Sequence, residues 1–296
     1  MSELRGIYPA IVTAFDATGA FDPGAMRRLV RHQLEKGVHG FYICGGTGEG
    51  LLLTREERQT ALETVLDEVN GRAGVIAHIG AFQTAETIAL ARHASQAGAD
   101  AIAALPPAYF YRPDERALVQ YYTAVAAAAT VPLLIYNIPQ RTGITMTREL
   151  FAQLLEVENI VGMKDSSGDI FALSLFLNGN DKPIVFEGED SVLAAGLMLG
   201  ACGGIGATYN MMPHLFVALW DSFQAGKLEE MGRIQARINQ LIDAILLVNL
   251  FAGLKQILAW MGLECGGPRT PNRLLTGEET AKLRISLEEV GFFEES

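Results

Sequence analysis

The sequence predicts an α/β protein built as a (β/α)8 TIM barrel with a C-terminal helical extension. Eight short apolar runs that resemble strands alternate with longer runs of helical periodicity. Several of the short runs are continuously apolar, as expected for parallel strands that are buried on both faces. After residue 210 the strand-like runs stop. Eight alternations fit a closed barrel or a doubly wound sheet, and the count favours the barrel.

The predicted strands and helices follow one another in regular order. The strands cover residues 7–14, 40–44, 75–79, 101–105, 133–136, 161–164, 184–187 and 203–207. Helix starts are predicted at Asp22-Pro23, at the capping box Thr54–Glu57, at Thr84, at Thr147 and at Asp190-Ser191. Helix ends are predicted at Gly37, Gly98 and Gly200.

The 296 residues suit one large structural unit. We expect the barrel to cover residues 1–210 and the C-terminal helices, residues 211–296, to pack on it. Three helices are predicted in that extension, over residues 215–223, 228–247 and 253–261.

Composition excludes several classes of protein. A net charge of −11, from 34 acidic and 23 basic residues, disfavours a nucleic-acid partner. No apolar stretch reaches the roughly 20 residues that a membrane span needs, so we expect no membrane partner and a cytoplasmic location. The three cysteines, Cys44, Cys202 and Cys265, are odd in number and far apart, which favours neither a disulfide framework nor a CxxC metal site.

Lys164 is the sharpest candidate for chemistry. Catalytic residues of a TIM barrel lie where its strands end, and Lys164 ends the sixth predicted strand after Asn-Ile-Val-Gly-Met. Partial burial there favours the neutral amine, which is the form that attacks a carbonyl carbon. The structural alternative is a lysine that is paired with Asp165 or another carboxylate.

Other strand ends carry weaker signals. The loop Gly45–Gly48 presents backbone N–H groups that suit an anion, with Thr47 as an added donor. Taken alone, this loop is more simply explained as a plain tight turn. Tyr136 is a candidate proton carrier or a core residue. Ser166, Gly188 and Asp190 follow strands six and seven and are predicted to bind substrate. His78 is predicted to be a buried histidine with satisfied hydrogen bonds. No cluster has metal-ligand spacing, so we expect no metal and no cofactor.

Four tracts together resemble the dihydrodipicolinate synthase / N-acetylneuraminate lyase family. They are Gly-Gly-Thr-Gly-Glu at 45–49, Tyr-Asn-Ile-Pro at 136–139, Gly-Met-Lys-Asp-Ser-Ser-Gly-Asp at 162–169 and Gly-Gly-Ile-Gly-Ala-Thr-Tyr-Asn at 203–210. The resemblance implies a TIM barrel with C-terminal helices, a homotetramer and no cofactor.

Carried over residue by residue, the resemblance assigns roles at the site. Lys164 would form the Schiff base, and Tyr136 would move protons at the keto-acid and aldehyde oxygens. Thr47 and the amide of Gly46 would hold the pyruvate carboxylate. Tyr109 would reach into the neighbouring subunit's site, and Ile205 would line the pyruvate pocket.

Individual residues resemble two branches of the family, the lyases and the synthases. His78 and the tract 203–210 resemble the lyases, whereas Arg141 resembles the arginine with which the synthases grip the carboxylate of aspartate semialdehyde. Gly46 departs from both branches, which carry a hydroxyl residue in the proton relay there. Ser191 and Ala207 depart from the residues that the sialic-acid lyases use for the sugar.

Four functions therefore stay open. The first is a lyase that cleaves a 2-keto-3-deoxy or 4-hydroxy-2-keto acid reversibly into pyruvate and an aldehyde. The others are 4-hydroxy-tetrahydrodipicolinate synthase, a keto-deoxy sugar-acid dehydratase and a non-catalytic pyruvate-binding protein. A screen for pyruvate release over several 2-keto acids would separate them.

Overall fold

Eight parallel strands form a barrel in the computed structural model, which describes residues 4–107, 111–178 and 182–294. The strands are β1 (Gly6–Pro9), β2 (Gly40–Ile43), β3 (Gly74–His78), β4 (Ala101–Ala104), β5 (Leu133–Asn137), β6 (Ile160–Asp165), β7 (Ile184–Glu187) and β8 (Gly203–Gly206). Their order in the sheet is β1-β8-β7-β6-β5-β4-β3-β2. A parallel bridge between Ala10 and Tyr42 brings β1 beside β2 and completes the ring. The predicted fold class is confirmed.

The prediction for the first strand is wrong in length. The strand ends at Pro9, although the apolar run continues to Ala14. Ala10 N and Ile11 N still donate to Gly206 O and Tyr42 O of the neighbouring strands. From Val12 onward the backbone has other partners: Val12 N donates to Asn210 Oδ1 at 3.1 Å and Phe15 N donates to Cys265 O at 2.9 Å. The end of the apolar run is therefore buried without being paired as a strand.

Helices alternate with the strands and continue after β8. They are α1 (Pro23–Glu35), α2 (Arg55–Val69), α3 (Thr84–Ala97), α4 (Glu115–Ala126), α5 (Pro139–Thr142), α6 (Arg148–Leu155), α7 (Ile170–Leu177), α8 (Leu193–Leu199), α9 (Pro213–Gln224), α10 (Leu228–Ile245), α11 (Leu250–Trp260) and α12 (Gly277–Glu289). Asp22, Thr54 and Thr147 cap helices as predicted. Thr84 does not: it is already helical, and Gln83 holds the extended N-cap position.

Helix α12 was not predicted. Its N-terminus carries a capping box between Thr276 and Glu279, but only Leu283 and Leu287 are buried along it. Its apolar residues, Ala281, Leu283, Ile285 and Leu287, alternate every second position and do not follow the helical period, so the periodic signal is weak. No single helix in the described ranges is long and apolar enough to cross a membrane; α10 and α11 reach that length only as a pair bent by 106°.

Two apolar layers place the side chains of the barrel strands. One fills the barrel interior and includes Tyr8, Tyr42 and Phe186. The other lies between the strands and the surrounding helices, and it includes the neighbours Met163 and Val185. Because side chains alternate along a strand, Lys164 shares the inward face and Glu187 the outward face.

A buried ion pair ties the C-terminal helices to the loop that follows β2. Lys255 Nζ on α11 lies 3.0 Å from Glu49 Oε1, and both side chains are almost fully buried. Glu49 Oε2 also accepts hydrogen bonds from Arg269 N at 2.8 Å and Asn272 Nδ2 at 3.2 Å. Glu49 thus connects the tract 45–49 with α11 and the segment after it.

Replacing Lys255 by methionine is expected to lower the free energy of unfolding by about 3–5 kcal/mol, because the buried Glu49 carboxylate then lacks its counter-charge. Denaturant unfolding of the variant checks this value. The double variant Glu49→Gln/Lys255→Met, which buries no unpaired charge, should regain much of the loss. Equal losses in the single and double variants would show that the ion pair is not the cause.

Candidate active site

The Lys164 amine lies inside the barrel between two tyrosine rings. In the strand register, Lys164 is level with Tyr136 on β5 and Phe186 on β7. Its Nζ lies 4.4 Å from the ring centroid of Tyr136 and 4.6 Å from that of Tyr42. The residue is 5% exposed, and no carboxylate of the described residues is within ion-pair distance. Asp165 turns away and accepts from Asn137 Nδ2 at 2.7 Å, which disfavours the paired-lysine alternative.

The ends of β6 and β7 pack tightly around this lysine. A Cβ atom at Gly188 would lie 2.1 Å from Ser166 Oγ and 2.9 Å from Lys164 Cε. Ser166 Oγ donates to Gly188 O at 3.1 Å. At position 188, therefore, only glycine leaves room for the Lys164 side chain. Ser166 and Gly188, which were predicted to bind substrate, both lie beside this lysine.

The loop Gly45–Gly48 presents free backbone donors. It is bounded by Cys44 and Glu49, whose φ angles of 56° and 53° are left-handed. Glu49 N donates to Gly46 O and Gly50 N to Gly45 O, each at 3.0 Å, but the amides of Gly46 and Thr47 meet no acceptor among the described residues. Consecutive free amides suit an anion. A short 3-10 turn (Gly50–Leu52) follows instead of an α-helix, so a helix dipole adds little.

A cavity of about 380 Å³ opens above Tyr136. Gly46, Tyr136 and Arg141 line it, together with His78 and several apolar side chains. Thr47, Lys164, Ser166, Gly188, Asp190 and Ile205 are not among the lining residues. The Tyr136 ring lies between Lys164 and the cavity, and the Lys164 amine contacts the face of this ring. The site therefore has an open outer part at Arg141 and a closed inner part at Lys164.

Residues 3–290 match the model of the dihydrodipicolinate synthetase family. The chain belongs to this family, as its sequence tracts predicted. The N-acetylneuraminate lyase of Rhizobium meliloti (strain 1021) is 38% identical over 296 residues, which cover 99% of this chain and 98% of that protein.

Solved structures of the family share the whole fold. A catalytic lysine mutant of Ruminococcus gnavus sialic acid aldolase superposes with a TM-score of 0.93 at 34% identity, covering 100% of this chain and 99% of that one. A dihydrodipicolinate synthase from Bacillus anthracis gives 0.92 at 27% identity, covering 97% and 99%. The relatives thus include lyases and a synthase.

Of the other predicted site residues, Asp190 and Ile205 are buried and do not line the cavity, and Tyr109 is not described. Asp190 is buried, and its Oδ2 accepts from Thr208 N at 2.8 Å and Thr208 Oγ1 at 2.6 Å. Burial raises the pKa of Asp190 to about 6. Ile205 is fully buried in the barrel interior, level with Tyr8 of β1. Tyr109 lies outside the described residues.

His78 was predicted to be buried with satisfied hydrogen bonds. It is buried, but only one of its two ring nitrogens has a partner among the described residues. Its Nδ1 lies 3.0 Å from Cys44 O, but Nε2 is buried without a partner among the described residues. Burial, with help from the nearby Arg58 charge, lowers the pKa of His78 to about 3, so the ring is neutral. Its place at a strand end and its resemblance to the lyase branch were the sequence signals for a role in the site.

The sequence predicted no metal, because no cluster of ligand side chains was visible in it. Across residues 4–107, 111–178 and 182–294, no three His, Cys, Asp or Glu side chains gather to hold a metal ion. The absence of a metal requirement stays a prediction.

Glu187 is a buried acid that the sequence reasoning passed over. It ends β7 on the outward face, where its Oε1 accepts from Glu189 N at 2.8 Å and its Oε2 packs against Gly196 of α8. Burial raises its pKa to about 8, and the nearby Asp165 adds to the shift. The carboxyl group is therefore protonated at neutral pH.

This shift predicts a pH-dependent stability. The folded chain keeps the Glu187 proton up to pH 8, whereas the unfolded chain releases it near its ordinary pKa of 4.5. Since the folded state binds more protons in this window, the free energy of unfolding should fall as pH rises through it. Glu187→Gln, which stays neutral, should flatten the slope of melting temperature against pH. Identical slopes for variant and wild type would contradict the assignment.

Proposed function

We propose that the chain cleaves a 2-keto-3-deoxy or 4-hydroxy-2-keto acid reversibly into pyruvate and an aldehyde through a Schiff base on Lys164. The enzyme is a lyase of the class I aldolase type. The observation that carries the proposal is the Lys164 amine, buried without a carboxylate partner in the described chain and level with Tyr136. The catalytic lysine of the R. gnavus aldolase supports the same role here.

The proposed reaction has three stages: imine formation on Lys164, cleavage of the C3–C4 bond and release of pyruvate. The neutral amine of Lys164 attacks the keto carbon, and loss of water gives the imine, whose protonated form accepts electrons. The 4-hydroxyl then loses its proton and becomes the aldehyde carbonyl, while the electrons of the broken C3–C4 bond form an enamine. Protonation at C3 and addition of water release pyruvate and restore the amine.

Tyr136 is placed to carry the protons of these steps. Its hydroxyl has no hydrogen-bond partner among the described residues, while its ring lies against Lys164 Nζ and lines the cavity. A phenol in this position can take the proton of the 4-hydroxyl and return it. The free amides of Gly46 and Thr47 would hold the keto-acid carboxylate during the reaction.

Arg141 supports a charged aldehyde partner. It follows β5 in α5, is exposed, and lines the cavity together with Tyr136. No carboxylate of the described residues pairs with it, which favours a substrate role over a salt bridge within the chain. A guanidinium group matches a carboxylate with two parallel hydrogen bonds. The partner aldehyde should therefore carry a carboxylate away from the keto-acid end, and Ser191 and Ala207 agree with a poor fit for neutral sugars.

Replacing Arg141 by leucine is expected to lower kcat/KM for carboxylated partners by more than about tenfold, since hydrogen bonds to charged groups contribute about 1.5–3 kcal/mol each. Pyruvate release from a panel of charged and neutral 2-keto acids measures the effect. Arg141→Lys keeps the charge without the planar fork and should fall between leucine and wild type. Equal losses for charged and neutral substrates, or N-acetylneuraminate as the best wild-type substrate, would contradict the proposal.

A second candidate is 4-hydroxy-tetrahydrodipicolinate synthase, which condenses pyruvate with aspartate semialdehyde. Arg141 and the B. anthracis relative favour it. Gly46 disfavours it, because the position lacks the relay hydroxyl, although a Cβ atom there would meet no other atom within 4 Å among the described residues. Condensation of pyruvate with aspartate semialdehyde, assayed in the same panel, separates the two activities.

The oligomeric state and the cellular compartment of the enzyme are also proposals. We place the chain in a homotetramer, with Tyr109 entering the neighbouring site as the family resemblance implies. Leu51 and Phe82 at the cavity rim are 45% and 55% exposed, which supports coverage by a second copy. The free cysteines Cys44, Cys202 and Cys265 support a reducing compartment such as the cytoplasm.

A further inference from the structure

The buried ring of His78 makes a directed contact with the strand beside it. His78 ends β3 and is 3% exposed, and its Nδ1 lies 3.0 Å from the carbonyl oxygen of Cys44, just after β2. A carbonyl oxygen can only accept, so Nδ1 carries the hydrogen and donates it. This bond is the polar contact that the described residues offer to the ring, because Nε2 has no partner among them.

The residue that receives this bond has an unusual backbone. Cys44 has a φ of 56°, a conformation that residues other than glycine keep only where their surroundings hold it. Its carbonyl oxygen is also confined on the other side, since a Cβ atom at Gly50 would lie 1.8 Å from it. The free amides of Gly46 and Thr47 follow directly along the chain. The direction of those amides therefore depends on how Cys44 is held.

His78 is itself fixed from α2. The guanidinium group of Arg58 donates to His78 O at 2.6 Å and to Gly80 O at 3.0 Å, and Arg58 is 5% exposed. A continuous set of buried hydrogen bonds thus runs from α2 through the end of β3 to the Cys44 carbonyl. The ring also packs against Tyr136, with centroids 5.7 Å apart.

We infer that His78 is a positioning residue for the carboxylate of the keto acid. By holding the Cys44 carbonyl, it keeps Cys44 left-handed and directs the amides of Gly46 and Thr47 toward the substrate anion. It acts through the backbone and transfers no proton. The inference rests on the proposed function, in which those amides bind the carboxylate next to the imine.

The test compares an anionic ligand with a neutral one. Borohydride trapping gives the half-saturating concentration of pyruvate and of pyruvamide, in which an uncharged amide replaces the carboxylate. His78→Phe keeps a ring beside Tyr136 but removes the donor, whereas His78→Asn keeps an N–H donor near the position of Nδ1. We expect His78→Phe to raise the value for pyruvate by about tenfold or more and to leave that for pyruvamide unchanged. His78→Asn should stay close to wild type with both ligands.

A second variant separates positioning from general damage. Glycine adopts a φ of 56° without strain, so Cys44→Gly in the His78→Phe background should restore pyruvate binding in part. Equal changes for pyruvate and pyruvamide, no change in His78→Phe, or no recovery with Cys44→Gly would overturn the inference. If wild-type protein fails to trap pyruvate at all, the proposed function fails; if it traps normally and His78→Phe does too, only the role of His78 fails.

Discussion

Turnover should disappear when Lys164 is replaced by arginine. Arginine is long enough to reach the rings of Tyr42 and Tyr136, but its guanidinium group stays protonated and does not attack a carbonyl. Loss of the only group that bonds covalently to substrate in this mechanism should reduce kcat by more than about 10⁴-fold. Steady-state pyruvate release with the best 2-keto acid of the wild type measures the loss.

The matched control for this variant is Lys255→Arg. Lys255 is also a buried lysine over an aromatic ring, with its Nζ 4.1 Å from the Phe15 centroid, but it pairs with Glu49 and lies outside the proposed chemistry. Its arginine variant should keep catalysing even if its stability falls. Substantial turnover in a folded Lys164→Arg protein would remove the Schiff base from the account.

Replacing Tyr136 by phenylalanine should lower turnover by about 10²–10⁴-fold, the usual contribution of a positioned acid–base group. The ring that packs on Lys164 and His78 remains, so the melting temperature should change little. Because the lysine amine remains, the imine can still form, and the variant should still be trapped by borohydride with pyruvate. Single-turnover and trapping assays on one preparation test both expectations.

Tyr42→Phe is the control for Tyr136. The Tyr42 ring also lies over Lys164 Nζ, at 4.6 Å, but Tyr42 is fully buried and its hydroxyl has no partner among the described residues. Removing this hydroxyl should cost less than about tenfold, because nothing places it against the substrate. Similar losses in the two variants would assign the effect to packing around the lysine and not to proton transfer.

Local patterns were enough for the barrel and for the position of Lys164. Short apolar runs, several of them continuous, marked all eight strands, and a polar residue that ends such a run lies at the barrel mouth. The register then makes Tyr136 and Lys164 neighbours, which follows from two strand ends without knowledge of any loop.

Contacts between distant segments could not be predicted in this way. The Lys255–Glu49 pair joins residues that are far apart in the chain. The His78–Cys44 bond depends on a left-handed backbone at Cys44, which the sequence does not indicate because the residue is not a glycine. Asp190 also shows the limit: a strand-end carboxylate looked available for substrate, yet Thr208 occupies one of its oxygens with two hydrogen bonds. Helix α12 was missed because its apolar residues do not follow the helical period.

The most direct measurement is reduction of the wild-type protein with borohydride in the presence of pyruvate, followed by peptide mass mapping. We expect one adduct per chain, on Lys164, with no adduct when pyruvate is omitted. Lys255 serves as an internal reference, since it is equally buried but paired with Glu49. No adduct, or an adduct on another lysine while Lys164 stays unmodified, would contradict the Schiff-base mechanism.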